Sequence, residues 1–387
     1  MLMHRTQGSC DSKFSGVRTA FEDSFVRRGE LGASLCIYVD GRCVVDLWGG
    51  HANATRTRPW QRGTLACVAS TGKGLASLCL LRLIERNRVE LDAPVCRYWP
   101  EFAAAGKESI TVRWLMSHRA GLPAIRKDMT TESMYQWDPF VRALAEEAPW
   151  WEPGSRHGYH ALTFGFLLGE VVRRVSGKSI GRFFREEIGA PLSADFYFGV
   201  PESEDARAAE MLPEPLPTGA DQSFFQDLLH DPHSVGARAF LNPPRPPQNM
   251  NTRAWRAAEI PASNGYATAS GVARVYAALA VGGSLEGVQI LERSTIAAAT
   301  VEQAHGPDAV IPVISRFGLG FWLPTADTPY VHSPVAFGHP GRGGSVGFAD
   351  PEARIGFGYV PNQYLGSPRQ ADPRARALID AMYSCLD

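Results

Sequence analysis

An almost wholly apolar run at residues 75–84, headed by a lysine, limits how this chain can fold more than any other stretch. Leucine and other apolar residues fill most of its positions, so the run predicts a helix that is buried on nearly all sides. Ser70 and Lys73 stand at its head, three residues apart. On a helix this spacing puts two side chains on one face, with Cβ atoms about 5–6 Å apart. We therefore expect a hydroxyl and an amine to face each other at the N-terminus of a buried helix.

An amine can take a proton from serine only when the amine is neutral. The pKa of a free lysine is about 10.4, so it must fall by about three units, or about 4 kcal/mol, before Lys73 can act as a base near pH 7. Burial and the positive end of the helix dipole both lower it, and the same dipole favours an oxyanion beside Ser70. Ser-x-x-Lys also occurs by chance at solvated helix ends. A solvated lysine is not expected before an apolar helix, however.

Composition excludes several classes of function. The 387 residues carry a formal net charge of −1, so no basic surface indicates a nucleic-acid or anionic-membrane partner. Seven cysteines are scattered through apolar stretches and predict reduced core residues, not a disulfide framework or a zinc site. The first residues lack the apolar segment of a signal peptide, and no run approaches a membrane span. We expect a cytoplasmic protein without a metal or other cofactor.

Strand patterns lie at the two ends of the chain, and helical patterns lie between them. Residues 33–39 and 42–48 predict two strands joined by an Asp40-Gly41 turn, the strongest short hairpin signal. Further strands are predicted at 317–323, 345–348 and 354–360. Helices are predicted at 16–28, 111–118, 138–148, 161–175, 180–188, 270–281 and 373–386.

These patterns predict an α/β (α+β) fold in which helices flank one antiparallel sheet built from N- and C-terminal segments. We expect a single domain, 1–387. Its sheet-containing part covers 15–66 and 312–387, and a mainly helical region, 67–311, is inserted between them. Residues 200–262 are rich in proline and charge and have little periodicity, so they predict an irregular, lid-like segment.

A candidate partner for Ser70 and Lys73 lies in the stretch 150–160. Tyr159 follows a Pro-Gly turn and directly precedes the helical pattern at 161–175, so it sits at a loop-to-helix junction. A tyrosine there is often only a packing residue. Beside Lys73, however, we expect the lysine cation to lower its pKa from about 10, which would make Tyr159 a general base.

A glycine-rich stretch, 337–345, precedes a strand and supplies a third element. Glycines let the backbone approach a ligand, and an edge-strand N–H can pair with Ser70 N–H as an oxyanion hole. Residues 343–347 also match Gly-x-Ser-x-Gly, the nucleophile elbow of α/β-hydrolases. That fold needs the order serine, acid, histidine, with a helix after the serine. The last histidine, His339, precedes Ser345 and no helical pattern follows, so we reject this interpretation.

Together these elements make the chain similar to the serine β-lactamase and penicillin-binding-protein superfamily, and most similar to its family VIII carboxylesterase branch. The resemblance runs from about residue 15 to residue 385. Its motifs are weak one by one, but they occur in the order that the superfamily shows: 68–73, 89–95 with 99–102, 110–123, 153–155 with Tyr159, and 338–341 with 343–344.

The resemblance implies that Ser70 is the nucleophile of an acyl-enzyme, and that Lys73 and Tyr159 share general acid and base duty. It also implies an oxyanion hole made by the backbone N–H groups of Ser70 and Arg342. Four further residues are implied, on the same grounds, to contact substrate: His339, Gly341, Trp151 and His160.

Two departures from the family pattern bear on the substrate. The Tyr-x-Asn element of related lactamases ends in Ala161 here, so the amide that contacts a substrate amide is missing. His339 stands where the family's Lys-Thr-Gly strand motif has its lysine, which weakens binding of the carboxylate that β-lactams and D-Ala peptides carry. Both changes favour neutral esters, although Arg342 can restore some positive charge.

The expected function is that of a serine carboxylesterase acting on small neutral esters by ping-pong acyl transfer. A first alternative is an acyltransferase or transesterase of secondary metabolism, which passes the acyl group to an amine or alcohol. Trp150, Trp151 and the 200–262 segment would then shield the acyl-enzyme from water. A second alternative is β-lactamase or D-amino-peptidase activity. A third, a ligand-sensing protein with a decayed site, is disfavoured because all three key side chains are present. The sequence does not predict an oligomeric state.

Overall fold

The protein is described by a computed structural model that covers residues 6–213, 226, 228–245, 247–325, 331–365 and 372–386. In chain order, strands β1 to β13 are Gln7–Cys10, Gly32–Val39, Arg42–Gly50, Ala66–Ala69, Phe196–Tyr197, Gly265–Ala267, Ser284–Leu285, Val288–Gln289, Ala304–Pro307, Ile314–Phe317, Phe337–Pro340, Val346–Asp350 and Ile355–Pro361. Helices α1 to α12 are Ser15–Arg27, Gly72–Glu85, Val112–Met116, Thr131–Tyr135, Trp137–Glu146, Thr163–Ser176, Ile180–Phe184, Val235–Leu241, Arg253–Ala257, Ala269–Ala280, Arg293–Thr300 and Pro373–Ser384.

The main sheet joins the two ends of the chain. Its strand order is β1-β3-β2-β13-β12-β11, and each neighbouring pair is antiparallel. The N-terminal strand β2 pairs with the C-terminal strand β13 along its whole length, from Ala33 opposite Pro361 to Val39 opposite Ile355. The predicted fold class, an antiparallel sheet assembled from both chain ends, is therefore confirmed.

The predicted hairpin between β2 and β3 is confirmed, and its turn explains why the two strands meet. Asp40 and Gly41 both have positive φ, 52° and 74°. This is the backbone of a two-residue type I′ turn, whose twist matches that of the flanking strands, and Asp-Gly adopts it readily.

Helix α10 lies directly on one face of the sheet because strand glycines leave room for it. A Cβ on Gly356 would lie 2.2 Å from Ala277 N, and one on Gly358 would lie 2.4 Å from Ala269 O. Both separations are far below van der Waals contact with backbone atoms that cannot turn away. The prediction placed residues 270–281 in the inserted helical region, whereas this helix packs against the sheet.

Helices α1 and α12 cover the opposite face of the sheet. They come from the two ends of the chain and pack against each other as well as on the strands. The strand side chains below them are fully buried and large, which gives this face an ordinary hydrophobic core; they include Leu35, Ile37, Leu47, Phe348, Phe357 and Tyr359.

The helical region stands beside the sheet with α2 at its centre. Helix α2 is buried over most of its length, as its apolar sequence predicted, and it packs mainly against α6 and α7. A small antiparallel sheet, β4-β6-β5, leads into it. Strand β4 also contacts β13, and α2 contacts β11. The turn between β4 and α2 therefore lies where the helical region meets the main sheet.

Three details differ from the sequence prediction. Strand β1 starts at Gln7, ahead of the predicted boundary at residue 15, because a short polar edge strand carries no hydrophobic alternation. The strand predicted at 317–323 is wrong: β10 ends at Phe317 and pairs with β9, and Gly320, with φ 82°, bends the following segment. The predicted irregular segment 200–262 contains helices α8 and α9, while its residues 214–225, 227 and 246 lie outside the described residues.

Over the residues described, every helix falls short of the length and apolar character that a membrane crossing needs. All seven cysteines are free thiols, but only Cys36, Cys67 and Cys79 are buried core residues, whereas the other four are partly exposed. The Sγ atoms of Cys36 and Cys43 form a hydrogen bond of 3.8 Å across the β2–β3 pair.

Gly358→Ala tests whether the strand glycines allow the close packing of α10 against the sheet. The new methyl group would lie within 3 Å of backbone atoms of α10. We expect the free energy of unfolding to fall by about 3 kcal/mol, the upper part of the usual overpacking range. Gly16→Ala is the matched control, because a Cβ there meets only Cys385 Sγ at 3.7 Å. Urea unfolding followed by circular dichroism measures both. Equal effects of the two substitutions would contradict the prediction.

Candidate active site

Ser70 lies in the tight turn that connects β4 to α2. Strand β4 ends at Ala69, whose φ of 44° is uncommon for a residue with a side chain and turns the chain sharply. Helix α2 begins at Gly72, and Lys73 N donates to Ser70 O at 2.9 Å, which ties the turn to the first helical residues. Ser70 therefore precedes the helix by two residues, and Lys73 lies in its first turn.

The side chain of Lys73 is fully buried and meets three oxygen atoms. Its Nζ lies 3.0 Å from Ser70 Oγ, 2.8 Å from Ala161 O and 2.9 Å from Ala262 O. The two carbonyl oxygens can only accept hydrogen bonds. A neutral amine has two N–H groups and one lone pair. When the N–H groups satisfy the carbonyls, the lone pair is left facing Ser70.

Electrostatics favour this neutral form. Burial lowers the pKa of Lys73 well below its ordinary value, and the nearby positive charge of Arg245 lowers it further. Among the described residues no carboxylate forms an ion pair with Lys73 to oppose these effects. The direction of the shift is the one that the apolar helix predicted. A neutral amine 3.0 Å from a serine hydroxyl is a general base in position.

Tyr159 is the third member of this group, as predicted. Its ring centre lies 4.7 Å from Lys73 Nζ, and its hydroxyl interacts with the Ser70 side chain. Burial raises the pKa of Tyr159 above its ordinary value, and the Ser70 interaction only partly offsets this. The expectation that the lysine would lower this pKa is wrong, because the loss of water around the phenol dominates. Tyr159 is therefore a protonated phenol that can donate.

The backbone of Tyr159 is held by a residue that no sequence motif indicated. Asp308 Oδ1 accepts from Tyr159 N at 2.9 Å and also from Val310 N and Ile311 N. Its Oδ2 accepts from Ser315 Oγ at 2.8 Å. Asp308 is remote from Tyr159 in the chain, and an isolated aspartate in a loop carries no motif. Only the fold brings its carboxylate under the tyrosine.

Two histidines, His118 and the predicted site residue His160, support the loop that carries Tyr159. His118 Nδ1 accepts from His160 N at 3.1 Å, and His118 O accepts from Gly158 N. His160 Nδ1 donates to Gly158 O at 2.7 Å, and its Nε2 accepts from Leu122 N at 3.1 Å. Both ring nitrogens of the fully buried His160 are thus occupied by backbone. This geometry does not fit the predicted contact between His160 and substrate, and it gives the ring a supporting role.

His339 lies on β11 beside Tyr159, with ring centres 6.0 Å apart. Its Nδ1 lies 2.6 Å from Pro340 O, which can only accept, so Nδ1 carries the proton. The other nitrogen, Nε2, is buried and has no hydrogen-bond partner among the described residues. Burial lowers the pKa of His339 to about 3. The ring is therefore neutral, and its Nε2 is an acceptor without a donor in the described structure.

The turn between β11 and β12 packs against the Ser70 turn. Ser345 Oγ donates to Val68 O at 2.8 Å and lies 3.1 Å from Thr71 Oγ1. A Cβ on Gly341 would lie 2.3 Å from Val68 O, so only glycine permits this approach. Gly341 N donates within the turn to Ser345 O, so Gly341 has a packing role, and its contact with substrate stays a prediction. Arg342 follows Gly341 in this turn, and its pairing with Ser70 N–H stays a prediction.

Trp151 stands behind the Tyr159 loop. Its ring packs against Gly158 and meets His160 edge to face, with centres 6.3 Å apart. With Trp150, Arg156, Val235 and other residues it lines a cavity of about 500 Å³. Trp151 thus packs on the loop that carries Tyr159, and its contact with substrate stays a prediction. Over the residues described, no group of three or more potential metal ligands occurs.

Comparison with known proteins decides the family. The β-lactamase family model matches residues 17–381, which is nearly the whole chain. The chain belongs to the β-lactamase family. The resemblance inferred from its motifs is thereby confirmed, and with it the enzyme class, the serine hydrolases of this fold.

Three relatives illustrate the range of this family. The Mycobacterium tuberculosis esterase/β-lactamase LipL is 35% identical over 365 residues, which cover 93% of this chain and 84% of LipL. The crystal structure of a family VIII carboxylesterase is 43% identical, with a TM-score of 0.91 over 98% of this chain and 100% of that one. A penicillin-binding-protein homologue from Caulobacter crescentus is 37% identical, with a TM-score of 0.90 over 98% of this chain and 100% of that one.

The buried amine of Lys73 makes stability depend on pH in a defined direction. Its pKa is lower in the folded than in the unfolded protein. Between those two values the unfolded state binds more protons, so the free energy of unfolding rises with pH up to about 10.4. We expect the wild-type protein to gain about 1.4 kcal/mol per pH unit within this window relative to Lys73→Met.

Urea unfolding at pH 7, 8 and 9 measures this difference. Lys127→Met is the control for loss of a lysine, because Lys127 is exposed. Its stability should change with pH as that of the wild-type protein does. A constant difference between wild type and Lys73→Met across this range would show that Lys73 keeps its charge in the folded protein.

Proposed function

We propose that the protein is a serine carboxylesterase that forms an acyl-enzyme on Ser70, with Lys73 as the base and Tyr159 as the proton relay. One observation carries this proposal. Lys73 Nζ lies 3.0 Å from Ser70 Oγ while two carbonyl oxygens take its other two positions. The esterase names of LipL and of the family VIII structure support the same class of reaction.

In the first half-reaction Ser70 O–H gives its proton to the lone pair of Lys73, and Oγ attacks the ester carbonyl carbon. The carbonyl oxygen becomes an oxyanion between the N–H groups of Ser70 and Arg342. When the tetrahedral intermediate collapses, the bond between the carbonyl carbon and the alcohol oxygen breaks. Tyr159 donates its proton to the departing alkoxide and regains one from the Lys73 ammonium, so the alcohol leaves neutral.

In the second half-reaction water attacks the acyl carbonyl and gives its proton to the tyrosine and lysine pair. The acyl bond to Ser70 breaks, and Oγ recovers its proton from Lys73. The carboxylic acid product leaves, and each residue has its starting proton again. An alcohol in place of water would give ester exchange by the same steps. Product analysis with and without added alcohol measures the share of each route.

His339 supports an uncharged substrate in this proposal. Its buried Nε2 presents a lone pair where the family's strand motif has a lysine cation. A carboxylate placed there would face a second acceptor and lose water without gaining a donor, which is unfavourable. A neutral ester, or one that carries a hydroxyl or amide N–H at this point, meets no such penalty.

Ser70→Ala tests the nucleophile. We expect hydrolysis of p-nitrophenyl acetate and butyrate to fall at least about 1000-fold, because the acyl-enzyme cannot form. Wild-type protein treated with a fluorophosphonate should gain one adduct, and peptide mass spectrometry should place it on Ser70. Ser24→Ala, which changes a buried serine of α1 outside the reacting group, should still be labelled. Full turnover by the Ser70→Ala protein would overturn the proposal.

His339→Lys tests the basis of substrate choice. We expect the ratio of kcat/KM for a carboxylate-bearing ester, mono-p-nitrophenyl glutarate, to that for p-nitrophenyl valerate to rise about tenfold or more, since a cation replaces an acceptor. Turnover of nitrocefin, which carries a carboxylate, should rise in parallel. His339→Gln stays neutral and is the control. An unchanged ratio in His339→Lys would contradict the assignment of His339 to substrate selection.

A further inference from the structure

A buried ion cluster lies behind the turn that carries Arg342. Arg374, at the start of α12, is 0% exposed, and every nitrogen of its guanidinium has a partner. Nε donates to Asp372 Oδ1 at 3.0 Å, and Nη1 donates to Glu30 Oε1 at 3.0 Å. Nη2 donates to Asp372 Oδ2 at 2.7 Å. Tyr359 on β13 in turn donates to Glu30. The guanidinium group of Arg374 is thus held by two carboxylates, those of Glu30 and Asp372, which lie far apart in the sequence.

The same guanidinium reaches the active-site turn. Arg374 Nη2 donates to Gly343 O at 2.8 Å and to Gln363 O at 3.0 Å. Gly343 directly follows Arg342, so the peptide group that Arg374 holds, between Gly343 and Gly344, is the second after the one that carries Arg342 N–H. The turn has no room to shift toward the cluster. A Cβ on Gly344 would lie 2.3 Å from Asp372 Oδ2 and 2.8 Å from Arg374 Nη2.

The opposite side of the turn packs against Val68, two residues before Ser70. Ser345 Oγ donates to Val68 O at 2.8 Å, and Gly341 approaches Val68 O so closely that no side chain fits there. The turn 341–345 is thus wedged between the β4–α2 turn, which carries Ser70, and the Arg374 cluster.

We propose that Arg374 is a positioning residue for the oxyanion hole: through its hydrogen bond to Gly343 O it fixes the 341–345 turn against the Ser70 turn and so sets the direction of Arg342 N–H. This inference rests on the proposed function, since it concerns the donor that receives the oxyanion.

The physical reason lies in how an oxyanion hole works. Its donors stabilise the transition state only when they already point at the place where the charge develops, and loss of one donor typically costs about 100- to 1000-fold in kcat. Ground-state substrate presents a weaker dipole and depends less on this alignment. If the 341–345 turn can move, we expect the kcat of the enzyme to fall while its KM changes little. Arginine suits the task because its planar fork holds several acceptors in one fixed geometry, which a lysine ammonium cannot reproduce.

Arg374→Lys keeps the positive charge but removes the planar guanidinium group and its several N–H donors. We expect kcat for p-nitrophenyl butyrate to fall about tenfold to 100-fold, because a misdirected Arg342 N–H stabilises the oxyanion less well. The KM should stay within about twofold of the wild-type value. The affinity for an alkyl boronic acid, whose tetrahedral adduct on serine places an oxygen in the oxyanion hole, should fall by a similar factor. Asp372→Asn is the second variant, because asparagine still caps α12 and only loosens Arg374. It should show a smaller loss of the same kind.

Lys107→Met is the matched control. Lys107 is a second fully buried cation, held by the carbonyl oxygens of Ala104, Ala145 and Glu147, and it makes no contact with the turn. Its loss should lower the melting temperature and leave kcat and boronic acid affinity within about twofold. A folded Arg374→Lys or Asp372→Asn protein with kcat and boronic acid affinity unchanged would overturn the proposal. So would equal losses in Lys107→Met. Failure of the wild-type protein to hydrolyse esters would instead count against the proposed function.

Discussion

The structure depends on one unusual interaction, a lysine amine that is buried without a counter-ion. The chain contains an instructive comparison. Lys107 is also buried, with three carbonyl oxygens around it, but its pKa is lowered only to about 8, because the negative charge of Glu147 opposes the effect of burial. Lys73 has two carbonyl partners, and its third neighbour is a hydroxyl that can itself donate. A nearby carboxylate thus distinguishes Lys107 from Lys73, whose low pKa no such charge opposes among the described residues.

This arrangement needs support from several directions. Helix α2 supplies the apolar surroundings, and the chain segments at Ala161 and Ala262 supply the two carbonyl oxygens. Asp308 holds the backbone of Tyr159 from a distant loop. A water molecule in place of any of these would lessen the desolvation of the amine and let it keep its proton. The hydrophobic helix and the low pKa of Lys73 therefore have one origin, since the burial that stabilises the fold also disfavours the charged amine.

The sequence alone predicted the parts whose signals are local. The Asp40-Gly41 turn, the apolar helix behind Ser70 and the helices with clear periodicity all follow from nearest-neighbour preferences. Three features did not follow. Asp308 and Arg374 act through contacts between distant residues, and no local pattern distinguishes them from surface charges. The direction of the Tyr159 pKa was mispredicted because sequence showed a nearby cation but not the loss of water around the phenol. The prediction for 317–323 failed because alternation of glycine with apolar residues resembles a strand, whereas Gly320 turns the chain.

The pairing of β2 with β13 has a consequence for how this protein reaches its native state. The first hairpin can form early, but its sheet partners come from the far end of the chain, so the loop that must close between them is nearly the full length of the polypeptide. Proteins dominated by such non-local contacts fold slowly. During synthesis Ser70, Lys73 and Tyr159 leave the ribosome well before the strand that carries His339. The arrangement around Ser70 can therefore be complete only after the last strands have been made.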